Sequence, residues 1–354
     1  MKFSALFQQY HSMAEPSYTL EVGGKALPVG EDVRLLQAVC ELTCRQSAGY
    51  LHLEAVMDPK GTNGAQWVSA LQAGAKCVFS VGYGTSKTKV FQGFLYEVVW
   101  HDPLTQGALT LEAVFLDVRG RLMLSSSADA GRTRILSQLV QTILSQSCCT
   151  QLASTRSIGP FSEDWNLSAL RLGLSDYDVL CQIASFLCYE FYAWADTLYF
   201  GPPRPNRTAI LTFDGPDGFI KLGRRRTLAG QCAAMVVSGT DDQGGRIYAR
   251  QARTEDSGFA AKQMSQVLSN DLYQPEPTVR TMAQAQTLSK ARMQARQQQA
   301  GGIFGRCLGT PELRPGRFLT ISGVSSAVNG TYYIHTVRHT LDVNGFTTDF
   351  EGED

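Results

Sequence analysis

From Tyr18 to Asp117 the sequence repeats one pattern, a strand-length run of β-branched and aromatic residues followed by a short polar turn. "KCVFSVGYG" and "KVFQGFLYEVVW" are joined by a Gly/Thr/Ser/Lys turn, and "ALTLEAVFLD" then places Leu109, Leu111, Ala113 and Phe115 on one face. A period of two belongs to a half-buried strand, and strand after strand with tight turns requires an antiparallel sheet or barrel. The pattern returns in "TAILTF", "CAAMVVSG" and "RIYARQA", and again in "GRFLTISG", "GTYYIHTVRHTLDV" and "GFTTDFEGE". In the last run Phe346, Thr348 and Phe350 face one way and Thr347, Asp349 and Glu351 the other.

Between the two strand-rich regions the period lengthens. "RTRILSQLVQTILSQ" repeats Ile135, Leu136, Leu139, Val140, Ile143 and Leu144 at helical spacing. A second helix opens at Ser175 with Asp178 three residues on, the form of a capping box, and carries Leu180, Ile183, Ala184, Leu187 and Phe191 as one stripe. "YEFYAWADTLYFGPP" reads as a hairpin and "GPPRPN" as a linker. "TVRTMAQAQTLSKARMQARQQQA" has high helix propensity with a sparse apolar stripe, and is expected as a helix inserted in the second β region. The fold class expected is α+β, mainly β.

His335 and His339 lie four residues apart in "TYYIHTVRHTL". On a helix that spacing would let two imidazoles share an ion; on a strand it spans about 13 Å. Asn329-Gly330 before the run and Asn344-Gly345 after it are hairpin signals, so the run is a strand, no metal site is expected, and both histidines are expected to be partly exposed. The nine cysteines are odd in number, lack a CxxC pair and mostly sit among apolar residues, so they read as reduced and buried. No signal-peptide pattern and no membrane-length apolar run is present, which points to a reducing bacterial cytoplasm as the place of synthesis.

Other chemistry finds less support. "GYGTSKTK" around Gly82 and Gly84 lacks the order of a phosphate-binding loop and joins two strands. Asp164, Asp176, Asp178 and Glu190 crowd one region, but Asp176 and Asp178 suit the first turn of a helix. Vicinal Cys148 and Cys149 have nothing in the adjacent sequence to lower a thiol pKa. Lys+Arg and Asp+Glu both number 32, which excludes a charge-driven role for the chain as a whole. Locally, Arg280, Lys290, Arg292, Arg296, Arg306, Arg314 and Arg317 stand against one acid, Glu312, and "KLGRRR" at Lys221 to Arg226 is a second basic cluster.

The order of these elements resembles the hub proteins of contractile tails and injection systems: the phage late-control protein D family and the N-terminal part of the type VI secretion spike protein VgrG. The resemblance runs from about residue 18 to 352. It is carried by the "VFQG" strand, the Ser-Asp-Tyr-Asp-x-Leu helix leading to "TLYFG", and the closing "L-x-PG…G-x-Y…V-x-H" hairpin. It marks Gly82, Gly93, Ser175, Tyr177, Leu180, Gly201, Pro315, Gly316, Gly330, Tyr332 and His339 as structural motif positions.

What the resemblance implies is an N-terminal arm over 1–17, a tail-tube-like β-barrel over 18–120, a small α/β module over 121–206, and a second such barrel over 207–354 with a helical insertion at about 277–305. It further implies a homotrimeric, pseudo-sixfold ring without catalytic residues or cofactor, joining a tail tube protein to a spike. The chain stops at "FEGED" directly after its last strand, so the needle is expected to be a separate protein. A LysM-type baseplate adaptor and a tape-measure protein are the other expected partners, with Arg280, Lys290, Arg292 and Arg296 as candidate lumen or partner contacts. The rival reading is a peptidoglycan-binding or cell-wall-hydrolysing tail protein acting through Trp165 and Tyr177; binding of nucleic acid by the basic run is a third.

Overall fold

The alternating runs become strands. A computed structural model describes residues 1–102, 107–126, 135–161, 165, 174–254 and 267–354. The first region holds helix α1 (Phe3–Gln9), strands β1 (Pro16–Val22), β2 (Lys25–Ala26), β3 (Val33–Thr43) and β4 (Tyr50–Met57), helix α2 (Thr62–Ala70), and strands β5 (Lys76–Tyr83), β6 (Ser86–His101) and β7 (Leu109–Leu116). Then come α3 (Val118–Met123), α4 (Leu136–Leu144), α5 (Ser147–Leu152), β8 (Thr155–Ile158), α6 (Asp176–Leu187), β9 (Glu190–Trp194) and β10 (Thr197–Gly201). The last third contributes β11 (Ala209–Phe213), β12 (Phe219–Arg226), β13 (Ala234–Thr240), β14 (Arg246–Ala252), β15 (Asp271–Pro275), α7 (Met282–Gln298), β16 (Gly301–Leu308), β17 (Arg317–Ile321), β18 (Gly330–Asp342) and β19 (Gly345–Glu353).

Thirteen of these strands form one sheet in the order β12-β16-β19-β18-β3-β4-β7-β6-β5-β1-β2, with β17 on β18 and β11 on β17. The two strand-rich regions therefore meet backbone to backbone: Thr336 to Asp342 of β18 pair antiparallel with Thr43 to Gln37 of β3. They also share one core, in which Phe79 and Phe115 of the first region join Tyr332 and Phe350 of the last. Among the described residues the pairing path is open at both ends. The N-terminal arm belongs to the same core, with Phe3 of α1 stacked on Phe213 at 4.6 Å.

The second β region is not one sheet. β14-β13-β15 form a separate three-stranded sheet, and α7 packs against β13 and β14. Met235, Val237 and Leu288 from this layer share a core with Leu139, Leu180 and Phe200 of the middle module. Phe191, expected on the helical stripe, belongs instead to β9, because Cys188 turns left-handed at φ 54° and ends α6. Ser175 caps α6 through the Asp178 amide at 3.1 Å, as expected, and α7 opens with a full Thr281/Gln284 capping box. The tip of the β5–β6 hairpin is Gly84 at φ +52°, a conformation L side chains rarely adopt.

An ion pair without solvent exposure holds the sheet to the module. Arg119, in the first turn of α3, is 0% exposed and Asp117 is 2% exposed. The guanidinium donates to Asp117 Oδ2 from Nη2 at 2.8 Å and Nε at 3.0 Å, Nε also reaches Oδ1 at 3.3 Å, and Nη1 donates to the carbonyls of Thr43, Arg45 and Phe191. Asp117 in turn accepts from the Gly49 amide at 2.7 Å, and a Cβ at Gly49 would lie 2.8 Å from that carboxylate. One side chain thus ties the ends of β3 and β7, the β3–β4 loop and β9.

β18 is a strand, as its hairpin signals require, but its histidines are not partly exposed: His335 is 6% exposed and His339 1%. A register shift between Ile334 and Thr336 turns His335 inward. His339 lies between Thr348 Oγ1 at 3.0 Å and the Leu313 carbonyl at 3.2 Å, and His335 between Arg45 Nη2 at 3.0 Å and Thr336 Oγ1 at 2.9 Å. Burial lowers both to about 4, helped at His335 by the charges of Arg45 and Arg225.

Two predictions follow from this packing. Arg119→Met leaves Asp117 buried without a counter-charge and should cost about 3–5 kcal/mol in chemical denaturation, with Asp117→Asn in the same chain restoring part of it; a loss under about 1 kcal/mol would show that the junction is held otherwise. The buried histidines must gain protons on unfolding below their ordinary value of 6.5. Stability should therefore fall on acidification from about pH 6.5 to 5, by on the order of 1 kcal/mol per histidine, and His339→Gln should flatten the slope. Because Glu190, raised by burial, contributes with the opposite sign over the same range, the test is the difference between the chains: a slope unchanged by His339→Gln rules out a neutral buried imidazole there.

Candidate functional site

The motif positions serve packing. Gly93 lets β6 cross β7, since a Cβ there would lie 2.1 Å from the Leu116 carbonyl, and Gly82 makes the same approach to Ser86 across the hairpin. Gly201 sits against Gly159 in the β8–β10 pair. Pro315 is buried, and Gly316 (φ +80°) passes the Tyr192 hydroxyl in the turn before β17. Gly330 begins β18, and the Tyr332 hydroxyl donates to the Val328 carbonyl beneath that turn. Leu180 is fully buried and Tyr177 9% exposed, both inside the module core.

The candidate acids separate. Asp164 lies outside the described residues. Asp176 is buried and accepts from Ser125 and Gln146 at 2.8 and 2.9 Å, while Asp178 stays at the exposed cap. Glu190 accepts from the Tyr333 hydroxyl at 2.5 Å, and burial raises it to about 8, so it is held as the neutral acid. The sequence places Glu190 among these acids but does not show its partner, since Tyr333 comes to it from the far end of the chain.

All nine cysteines are free, six buried and three half-buried (Cys148, Cys181, Cys188). Contrary to the expectation for Cys148, the neighbouring Cys149 thiol favours its thiolate and lowers it from the ordinary thiol value. The basic run is partly consumed internally. Arg292 pairs with Glu276 at 2.7 Å, Arg306 with Asp349 at 2.8 Å, Arg296 donates to the Gly230 carbonyl and Arg280 to the Thr240 carbonyl, leaving Lys290 exposed on α7.

The surfaces that remain are two unpaired edges of the large sheet, β12 at its end and the outer half of β6 within it. β12 has β16 on one side only, and its exposed residues are Ile220, Lys221, Arg225 and Arg226. β6 pairs with β5 through Phe94 and with β7 from Phe94 to His101. Beyond Leu95 its second edge carries no strand among the described residues, and Tyr96, Glu97 and Val99 are exposed there. One free edge is therefore apolar and basic, the other apolar and acidic. No described helix is long and apolar enough to cross a membrane.

No protein-family model and no curated protein matches the sequence. Solved structures do. The tail protein from Neisseria meningitidis MC58 superposes with a TM-score of 0.68 at 11% identity, covering 96% of this chain and 97% of that one. The 43 kDa tail protein of prophage MuSo2 from Shewanella oneidensis gives 0.67 at 13% identity, covering 96% and 100%. The E. coli c3393 protein, a type VI secretion component structurally similar to the T4 tail proteins gp27 and gp5, gives 0.58 at 11% identity over 94% of this chain and 76% of its own. This chain has the fold of these phage tail proteins and of this type VI secretion component.

Proposed function

We propose that the protein is the structural hub of a contractile, phage-tail-like baseplate: a homotrimer whose ring joins the tail tube to the spike. The observation that carries the reading is the single sheet with two unlike unpaired edges, β12 at one end and the outer half of β6 within it. A surface that matches a different surface of the next copy makes a heterologous contact, and such contacts close into a ring when the rotation per copy permits. Basic β12 against acidic β6 gives that contact a direction, and backbone pairing across it would cover edges that otherwise invite aggregation. Two strand-rich regions per chain, repeated three times, present six similar faces to a sixfold tube.

On this reading the work is done by shape and by transmission of load, and no residue acts as a catalyst. The partners are a tail tube protein on one side and a spike protein on the other, with a LysM-type adaptor and tape-measure protein nearby, assembled in the bacterial cytoplasm and carried in the finished particle. The 1–17, 18–120, 121–206 and 207–354 divisions stand as proposed functional segments of the hub. The peptidoglycan reading loses its contact residues, because Trp165 (2% exposed) and Tyr177 are inside the module core.

Native mass spectrometry of the chain, alone and with tube and spike proteins, should give a trimer; a chain that stays monomeric with every partner present sinks the proposal. Lys221→Glu with Arg225→Glu should weaken the trimer by about 10-fold or more, and Glu97→Lys in the same chain should restore part of it. Equal trimer stability in all three chains would place the interface elsewhere.

A further inference from the structure

The β9–β10 hairpin, the 202–208 segment and the turn before β17 bring four arginines together. Arg314 stacks on Trp194 with its guanidinium carbon 3.8 Å from the ring centroid. Arg317 donates to the Thr208 carbonyl at 3.3 Å, and Arg204 lies over Tyr333 at 5.2 Å. Arg207 follows in the same segment and is exposed. Among the described residues the only acid in an ion pair with this group is Glu353, 3.7 Å from Arg204.

Two features set the cluster apart from a solvated basic face. Among the described residues, Trp194 Nε1, Arg204 Nε and Nη2, Arg314 Nε and Arg317 Nε are buried donors without a hydrogen-bond partner. The backbone is also constrained, since Arg204 sits between Pro203 and Pro205 at φ 58°, a left-handed conformation that disfavours a bulky residue. Burial, and the charge of Arg317, lower Arg314 from the usual guanidinium range. Like charges are thus held together and part-desolvated beside exposed Arg207, an excess of positive charge that a partner's carboxylates would neutralise.

We propose that this cluster is a docking site for the carboxylates of an acidic segment on a partner protein. A nucleic-acid strand fits less well, because the aromatic faces that would stack bases are taken: Arg314 covers Trp194, and Phe318 and Tyr333 are 8% and 1% exposed. The inference goes beyond the hub reading and does not depend on trimer formation.

The experiment uses the full chain and a fluorescently labelled decaglutamate peptide, followed by anisotropy, with an oligodeoxythymidylate of equal length as comparison. The peptide should bind in a salt-dependent manner, and Arg314→Gln with Arg317→Gln should weaken it by about 10-fold or more. Arg207→Gln, at an exposed position with no packing role, should weaken it less, and Lys290→Gln on α7 should leave it unchanged. Absence of peptide binding overturns the proposal, as does binding indifferent to the arginine substitutions. An oligonucleotide that binds as tightly and loses affinity in the same variants would assign the site to nucleic acid and overturn it as well.

Discussion

The Asp117–Arg119 pair is the contact on which the arrangement of layers depends. Taking two charges out of water is costly unless geometry is good and every remaining donor is used. Here two guanidinium nitrogens go to the carboxylate, and the third is spent on three carbonyls from two distant segments, Thr43 and Arg45 in one and Phe191 in the other. Those carbonyls belong to the end of β3, the loop after it and β9. The pair therefore does two jobs: it neutralises its own charge, and it supplies the donors that let a sheet end and a hairpin be packed together out of solvent.

Strand content, the hairpins at Gly84 and Asn344-Gly345, the Ser175 cap and the apolar stripe of α6 were all legible, because each is set by neighbours within a few residues. What escaped was non-local. Nothing around Arg119 distinguishes it from an exposed arginine until Thr43 and Phe191 are brought to it. His335 and His339 were placed on the right strand but on the wrong side of the burial boundary. That boundary is drawn by a bulge and by Thr348 and Leu313, none of which a period-two pattern contains. The runs "CAAMVVSG" and "RIYARQA" were read as strands, yet which sheet they join is decided by α7 and the middle module.

The likeness to tail proteins at 11–13% identity is a likeness of backbone path. Glycines at close crossings, such as Gly93 against Leu116 and Gly201 against Gly159, are the positions where such a path constrains the residue directly. Elsewhere any side chain of suitable size and polarity serves, which is why short motifs in a fixed order carried more information than any one of them.

The β3–β18 ladder also has a consequence in time. About 300 residues separate its two strands, so on a ribosome adding roughly 5–20 residues per second, β3 waits some tens of seconds for its partner. Through that interval one long edge of the first region is unpaired, and the closure of so large a loop makes the final step slow. The polypeptide must therefore be made where sticky half-formed sheets are kept apart, and its last thirty or so residues act as the latch that completes a structure begun near its start.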